Sequence, residues 1–216
     1  RAKSQHNSLK FKYSQKLILK MSLNILVKSF GCSANISDGE AIKGLLKQAE
    51  FNIVPEDAEE IAMAILNICT VKGDDKALTE IKRTLEKWPH CFLIIAGCIP
   101  KYLIPRIREL KPDTTFVNTH NLREIASAVE ETIHDNPQKL MDQKRKPKIL
   151  LAKQRENPII GIIPISSGCL GKCSYCSVKL IKGKLYSYPE DLIIKEAENC
   201  IKQGCKELWI TAQDTA

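Results

Sequence analysis

The sequence predicts an α/β protein: an N-terminal doubly wound parallel sheet, then a basic connector, then the opening of a second strand-helix-strand unit. Two observations carry this expectation. Short apolar runs alternate with segments whose apolar residues recur at three- and four-residue spacing, the pattern of strands alternating with amphipathic helices. The runs are apolar throughout instead of alternating with polar residues, as expected for parallel strands covered on both faces.

Taken in order, Asn24 to Phe30 is a buried strand that stops at Gly31. Ser37 or Asp38 is placed to cap a helix over Gly39 to Glu50, where Ile42, Leu45, Leu46 and Ala49 share a face. A short strand, Phe51 to Val54, is closed by Pro55, and Ile61 to Asn67 is the next apolar run. Asp74 to Lys87 reads as a helix with Ala77, Leu78, Ile81 and Leu85 inward. Cys91 to Gly97 is a strand, Pro100 to Leu110 a helix, Thr114 to Val117 a strand and Asn121 to Ile133 a helix. Beyond the connector, Ile159 to Ile165 is a strand, Lys179 to Tyr188 a loop, Pro189 to Lys202 a helix stopped at Gly204, and Glu207 to Thr211 a strand.

The 216 residues are 44% hydrophobic and 27% charged, with no apolar run of membrane-spanning length. The net charge of +8 is concentrated. Residues 1–20 carry Arg1, Lys3, Lys10, Lys12, Lys16 and Lys20 and no acid, and the other 27 basic residues face 25 acidic ones, leaving +2. Global charge therefore says little about a nucleic-acid partner. Because the chain opens with Arg1 and Met21 precedes the first strand, residues 1–20 are expected to be non-native leader, with an organellar transit peptide as the alternative. The expected divisions are this leader, a first domain over 21–134, a basic linker over 135–157 and a second domain over 158–216.

Nine cysteines without the scatter of a small secreted scaffold point to iron-sulfur ligation in a reducing compartment, hence the cytoplasm. Cys32, Cys69 and Cys98 each follow a predicted parallel strand. The C-terminal ends of such strands lie along one edge, where open α/β sheets hold their ligands, so the three should meet. Singly, each could be a small buried hydrophobe; as a trio they are expected to hold an iron-sulfur cluster. Cys91, at a strand start, belongs to the core.

Gly168-Cys169-Leu170-Gly171-Lys172-Cys173-Ser174-Tyr175-Cys176 supplies three more thiols at C-x3-C-x2-C spacing. They can occupy three corners of a 4Fe-4S cubane and leave the fourth iron open. A closed zinc site would need a fourth ligand, and the nearest candidates, Cys200 and Cys205, lie on or just past a predicted helix. The motif resembles that of radical S-adenosylmethionine (SAM) enzymes, whose open iron binds SAM and whose electron transfer yields a 5'-deoxyadenosyl radical. Tyr175 fits that pattern and is a candidate SAM contact. The resemblance implies that residues 158–216 begin a (β/α)6 partial TIM-like barrel.

Gly31-Cys32-Ser33-Ala34-Asn35-Ile36-Ser37-Asp38-Gly39-Glu40 resembles the GCxxNxxDSE opening of the methylthiotransferase family. Asn67-Ile68-Cys69-Thr70-Val71-Lys72 resembles its NTCTVK segment, and Ala96-Gly97-Cys98-Ile99-Pro100-Lys101 its AGCxPQ segment. Gly39, Ile68 and Lys101 depart from the usual Ser, Thr and Gln. The run Cys176 to Pro189 resembles the archaeal and eukaryotic branch, with Lys182 where that branch has Arg, and Trp209 to Thr215 resembles its WLTSEDT strand end.

That branch acts on N6-threonylcarbamoyladenosine beside the tRNA anticodon. The resemblance implies a radical SAM cluster on Cys169, Cys173 and Cys176 and an auxiliary 4Fe-4S cluster on Cys32, Cys69 and Cys98. It also implies hydrogen abstraction at C2 of the adenine, sulfur insertion there, methylation by a second SAM, and an electron donor. An aromatic C-H is neither acidic nor a leaving group, so acid-base catalysis has little purchase on it.

The connector holds Lys139, Lys144, Arg145, Lys146, Lys148, Lys153 and Arg155 against Asp142. It reads either as a solvated linker or as a strip on RNA phosphates, with Lys144, Arg145, Lys146 and Lys148 as candidate contacts. Gly171, Lys172, Lys182 and Lys184 are candidates for SAM or RNA contact, or ordinary loop residues. Later barrel strands and a C-terminal RNA-binding domain are not in the sequence, so the chain alone is expected to ligate clusters without completing turnover. Other readings are a methylthiotransferase for isopentenyladenosine or a ribosomal-protein aspartate, and a non-catalytic metal-binding RNA-interaction module.

Overall fold

The computed structural model describes residues 22–69, 73–143 and 147–214. The basic leader, Met21, Thr70 to Lys72, the proposed RNA contacts Lys144, Arg145 and Lys146, and Thr215 lie outside the described residues.

The first domain runs β1 (Asn24–Ser29), α1 (Ser33–Gln48), β2 (Asn52–Val54), β3 (Met63–Ile68), α2 (Asp74–Lys87), β4 (Phe92–Gly97), α3 (Leu103–Leu110), β5 (Thr115–Asn118), a 3-10 turn (Leu122–Glu124), α4 (Ile125–Ile133) and β6 (Lys139–Leu140). The sheet order is β2-β1-β3-β4-β5-β6, parallel at every pairing.

Side chains of successive strand residues leave the sheet on opposite sides, and the core divides accordingly. Leu26, Ala64, Leu66 and Leu93 meet Ala77, Leu78 and Ile81 of α2 and Leu103, Ile104 and Ile107 of α3. On the other face Ile25, Val27, Ile65, Ile94 and Val117 meet Ile42 and Leu46 of α1 and Ile125, Ala128 and Val129 of α4. All six residues of β3 are buried, which is why its run reads as continuously apolar.

The strand order turns back between β1 and β3, because β2 lies on one side of β1 and β3 on the other. At such a switch point the loops leaving neighbouring strands diverge and open a crevice at the C-terminal edge. Cys32 follows β1, Cys69 follows β3 and Cys98 follows β4.

The second unit holds β7 (Ile160–Pro164), β8 (Ser166–Ser167), α5 (Val178–Lys182), β9 (Tyr186–Ser187), α6 (Glu190–Lys202) and β10 (Glu207–Thr211). β7 and β10 pair in parallel across α6, and β8 pairs antiparallel with β9. Ile163, Cys200 and Cys205 form its small core, so neither of those cysteines is offered as a metal ligand.

Three expectations are corrected. α1 begins at Ser33, six residues before the expected start, with Cys32 at its N-cap. Neither Ser37 nor Asp38 caps it, because both are buried inside the helix and Asp38 is directed at Lys148 and Thr119. The expected loop 179–188 contains α5 and β9; a one-and-a-half-turn helix is too short to reveal a period in sequence.

The connector is the third correction. Its residues after 147 are built into the interior instead of forming a solvated strip. Lys148 Nζ donates to both Asp38 carboxylate oxygens at 2.6 and 2.7 Å and to Thr119 Oγ1 at 2.6 Å. Lys153 pairs with Glu196 at 2.8 Å with both side chains almost wholly buried, and Leu150 N donates to Glu196 Oε2. Gln154 N donates to Glu40 O, Glu156 N to Glu40 Oε1, and Arg155 donates to Gln203 Oε1 and Cys200 Sγ. The strap thus joins α1 of the first domain to α6 of the second. Lys148 is therefore withdrawn as an RNA contact.

Removing one member of a buried ion pair strands the other charge, which costs about 3–5 kcal/mol. Lys148→Met should lower unfolding free energy by about 3 kcal/mol in urea titration, whereas Lys139→Met, on an exposed residue, should change it by less than about 0.5 kcal/mol.

Candidate metal centre

The two sheets present their C-terminal edges to one cavity of about 230 Å³, lined by Cys32, Cys69, Cys98, Cys169, Cys176, Val178, Lys182, Ala212 and Gln213. Both cysteine sets thus contribute to one wall system, with five of the six candidate ligands on it. Cys173 lies on an adjoining cavity of about 270 Å³ with Cys169, Gly171, Cys176 and Lys179. The two cavities share Cys169 and Cys176. Tyr175 lines neither of them, and its residue is 89% exposed.

A network of asparagines builds the first-domain side. Asn35 Nδ2 donates to Asn67 Oδ1 at 2.9 Å and to Ile68 O at 3.0 Å, while Asn67 Nδ2 donates to Asn35 O at 2.7 Å and to Ser29 Oγ at 3.2 Å. Both amides are buried, so these bonds replace water that the site excludes. They tie the start of α1 to the ends of β1 and β3 and thereby fix the spacing of Cys32 and Cys69. The sequence contains both asparagines within the family-like segments, but nothing in their spacing says that they bond to one another.

Two glycines make room for this closure. A Cβ on Gly31 would stand 2.5 Å from Cys69 Cβ. Gly97 has φ +90°, where side chains are strained, and a Cβ there would stand 2.3 Å from Asn67 Oδ1. At position 39, where the resemblance leads one to expect Ser, the Ser29 hydroxyl occupies the space a side chain would need.

Electrostatics divide the trio. The Cys32 thiol is lowered to about 5, chiefly by its hydrogen bond with Cys69, helped by the Asn35 amide, the Lys182 ammonium and the Ala34 amide, and opposed by burial. Its N-cap position supplies those amides, since the first N–H groups of a helix have no intrahelical acceptor. Burial raises the Cys98 thiol, with Lys182 acting in the opposite sense. Burial raises Cys91 as well, in keeping with its core position.

The second-unit side is tied to the first at the same place. Ser33 Oγ and Thr211 Oγ1 are 2.6 Å apart, and Cys169 Sγ lies 3.5 Å from Asp214 Oδ2. Gly171 N donates to Cys169 Sγ at 3.2 Å. Ala212, Gln213 and Asp214 follow β10 at its C-terminal end; the sequence reading quoted this strand end without giving it a role.

Among the described residues, no group of three or more His, Cys, Asp or Glu side chains converges on a point that would hold a single metal ion. The thiols instead surround a volume. That arrangement fits a polynuclear iron-sulfur group, in which each thiolate takes a separate iron. An N-cap thiolate, a nearby lysine and an enclosed wall are the features such an anionic group requires.

Comparison with known proteins shows what the chain is similar to. Residues 24–119 match the uncharacterized protein family UPF0004. A probable threonylcarbamoyladenosine tRNA methylthiotransferase of Methanothermobacter thermautotrophicus is 33% identical over 196 residues, covering 90% of this chain and 46% of that protein. The threonylcarbamoyladenosine tRNA methylthiotransferase of Mus musculus is 34% identical over 200 residues, covering 88% of this chain and 34% of that protein. The one of Drosophila melanogaster is 32% identical over 201 residues, covering 88% and 35%.

The chain is similar to proteins named as tRNA methylthiotransferases. It spans less than half the length of the curated relatives it matches. The UPF0004 match contains Cys32, Cys69, Cys98, Asn35 and Asn67, and the similarity to the methylthiotransferases extends over most of the chain. Among the described residues no helix is long and apolar enough to cross a membrane.

A thiol acting as thiolate stays nucleophilic until the pH falls to its own pKa. Cys32 in the metal-free chain should therefore be alkylated by iodoacetamide nearly as fast at about pH 6.5 as at about pH 8, slowing only as the pH approaches about 5. Cys91 and Cys98, buried and shifted upward, should react slowly throughout. Mass mapping of the alkylated cysteines checks the order.

Proposed function

We propose that this chain is the N-terminal part of a radical SAM methylthiotransferase that converts N6-threonylcarbamoyladenosine beside the tRNA anticodon to its 2-methylthio derivative. The observation that carries this reading is the meeting on one cavity of three cysteines from the C-terminal edge of the first sheet with two from the motif loop of the second unit. The names of the relatives support this choice of substrate. The unit formed by β7, α6 and β10 is then the opening of the (β/α)6 barrel, and the setting is a reducing one, the cytoplasm.

On this reading Cys169, Cys173 and Cys176 hold one 4Fe-4S cluster and Cys32, Cys69 and Cys98 hold the other. When bound, the open-iron cluster with SAM supplies one-electron chemistry able to activate an aromatic C–H, which acid-base catalysis cannot do economically at neutral pH. The residues of this chain bind, orient and enclose. The Cys32 thiol, lowered chiefly by its hydrogen bond with Cys69 and helped by its helix N-cap amides, is a ready metal ligand. The Asn35–Asn67 brace holds Cys32 and Cys69 at fixed separation. Buried Ile68 and Ile99, next in sequence to Cys69 and Cys98, exclude water behind the trio.

Cys173 is exposed where the trio is largely covered, so the motif loop faces outward. That is the side from which SAM and an unstacked anticodon-loop base would approach, since single-stranded loop bases are the accessible ones. The tRNA and the electron donor are the proposed partners.

Iron and acid-labile sulfide after anaerobic reconstitution test the reading. The wild-type chain should bind about eight irons and eight sulfides, as two cubanes require, and a Cys32→Ala, Cys69→Ala, Cys98→Ala triple variant should lose about half. Zinc without sulfide, or a triple variant with unchanged iron, would overturn it in favour of an RNA-interaction module or a single-cluster protein.

A further inference from the structure

Among the described residues that line the cysteine cavity, Lys182 is the one that carries a formal positive charge. It ends α5 and is only 5% exposed. The other deeply placed lysines have carboxylate partners: Lys148 has Asp38 and Lys153 has Glu196. Among the described residues Lys182 makes no hydrogen bond or ion pair with a protein acceptor. A buried ammonium without a counter-charge is strongly disfavoured. Asp38 does not serve, because Lys148 engages both of its oxygens. Asp214 is directed at Cys169 Sγ. The cavity that Lys182 lines is the place left for a matching negative charge.

The position of Lys182 is fixed from three directions. His120 Nε2 lies 3.1 Å from Ile181 O, and Gln143 Nε2 donates to Leu180 O, which fastens α5 to the first domain. Lys179 Nζ donates to Leu170 O at 3.0 Å and to Gly171 O at 2.9 Å, which fastens the same helix to the cysteine-motif loop. Gly183 N closes the last turn on Lys179 O. A lysine on a helix held this firmly, and itself only 5% exposed, is not a mobile surface group. In keeping with this, its charge acts on both Cys32 and Cys98.

We propose that Lys182 is the counter-cation of the cysteine cavity, a positioning residue that balances the negative charge held by Cys32, Cys69 and Cys98 and sets the reduction potential of the group they bind. This rests on the reading that the trio holds an iron-sulfur cluster. A nearby positive charge favours the reduced, more negative state of such a group, because the attraction is strong in a site that excludes water. Arg at this position would keep the charge and change only its shape.

The test compares the anaerobically reconstituted wild type with Lys182→Gln and Lys182→Arg. The measurements are far-ultraviolet circular dichroism, iron and sulfide content, and midpoint potentials from redox titration followed by electron paramagnetic resonance. The Cys169→Ala, Cys173→Ala, Cys176→Ala background isolates the trio's signal. The expected result is that Lys182→Gln folds, and that its trio cluster either shifts to more negative potential or loses iron. Lys182→Arg is expected to stay near wild type in both readouts. A fully loaded Lys182→Gln with unchanged potential overturns the proposal, as does equal loss of iron or fold in Gln and Arg variants, which would make the role one of packing. If the wild-type trio itself binds no iron, the iron analysis reports failure of the methylthiotransferase reading, and the proposal falls with it.

Discussion

The parallel pairing of every strand in the first sheet is the constraint on which the rest depends. It sends the C-terminal ends of β1, β3 and β4 to one edge, and the reversal of order between β1 and β3 opens that edge at the point where Cys32 and Cys69 emerge. A single antiparallel strand would have sent its cysteine to the opposite side of the molecule. Three residues spread over more than sixty positions thus meet without any one loop having to be long. The asparagine pair then fixes the spacing that the topology only brings near.

The second constraint is the strap. Its lysines and arginine give the linker sequence the look of a nucleic-acid strip, but those after Pro147 are bonded internally. Buried ion pairs contribute little net stability compared with apolar groups of the same shape, whereas a mismatched partner is costly. Lys153–Glu196 and Lys148–Asp38 are therefore better explained as devices of orientation than of stability. They permit one docking of the second unit on α1. In that docking Ser33 touches Thr211, and Cys169 and Cys176 face the trio.

Much of this was legible in the residues. Apolar runs buried on both faces announced the central strands, and α2 occupies the expected Asp74 to Lys87 because its inward residues recur cleanly at helical spacing. The meeting of Cys32, Cys69 and Cys98 followed from strand ends alone. What was not legible shares one cause, the pairing of distant polar side chains. Asp38 looks like a helix cap in sequence because Asp residues usually serve there; only the fold reveals that Lys148, 110 residues away, claims it. Lys148 looks solvated for the same reason. α5 carries too few residues to display a period, so Lys182 appeared as a loop charge and not as a buried one.

The two cysteine sets differ in a way that bears on their division of labour. Cys69 and Cys98 are buried and Cys32 is half-covered, whereas Cys173 is exposed and its neighbours Leu170 and Tyr175 are 66% and 89% exposed. An enclosed site suits a group that must be kept from water and from stray thiols, because low polarity strengthens every interaction made there. An outward loop suits a group that must meet a ligand from solution. Cys169 and Cys176 line both cavities, so the outer loop and the inner trio adjoin at these two thiols. On the proposed reading, transfer between a group on the inner trio and one on the outer loop would use this adjacency, which arises from two sheet edges facing each other and needs no motion of a domain.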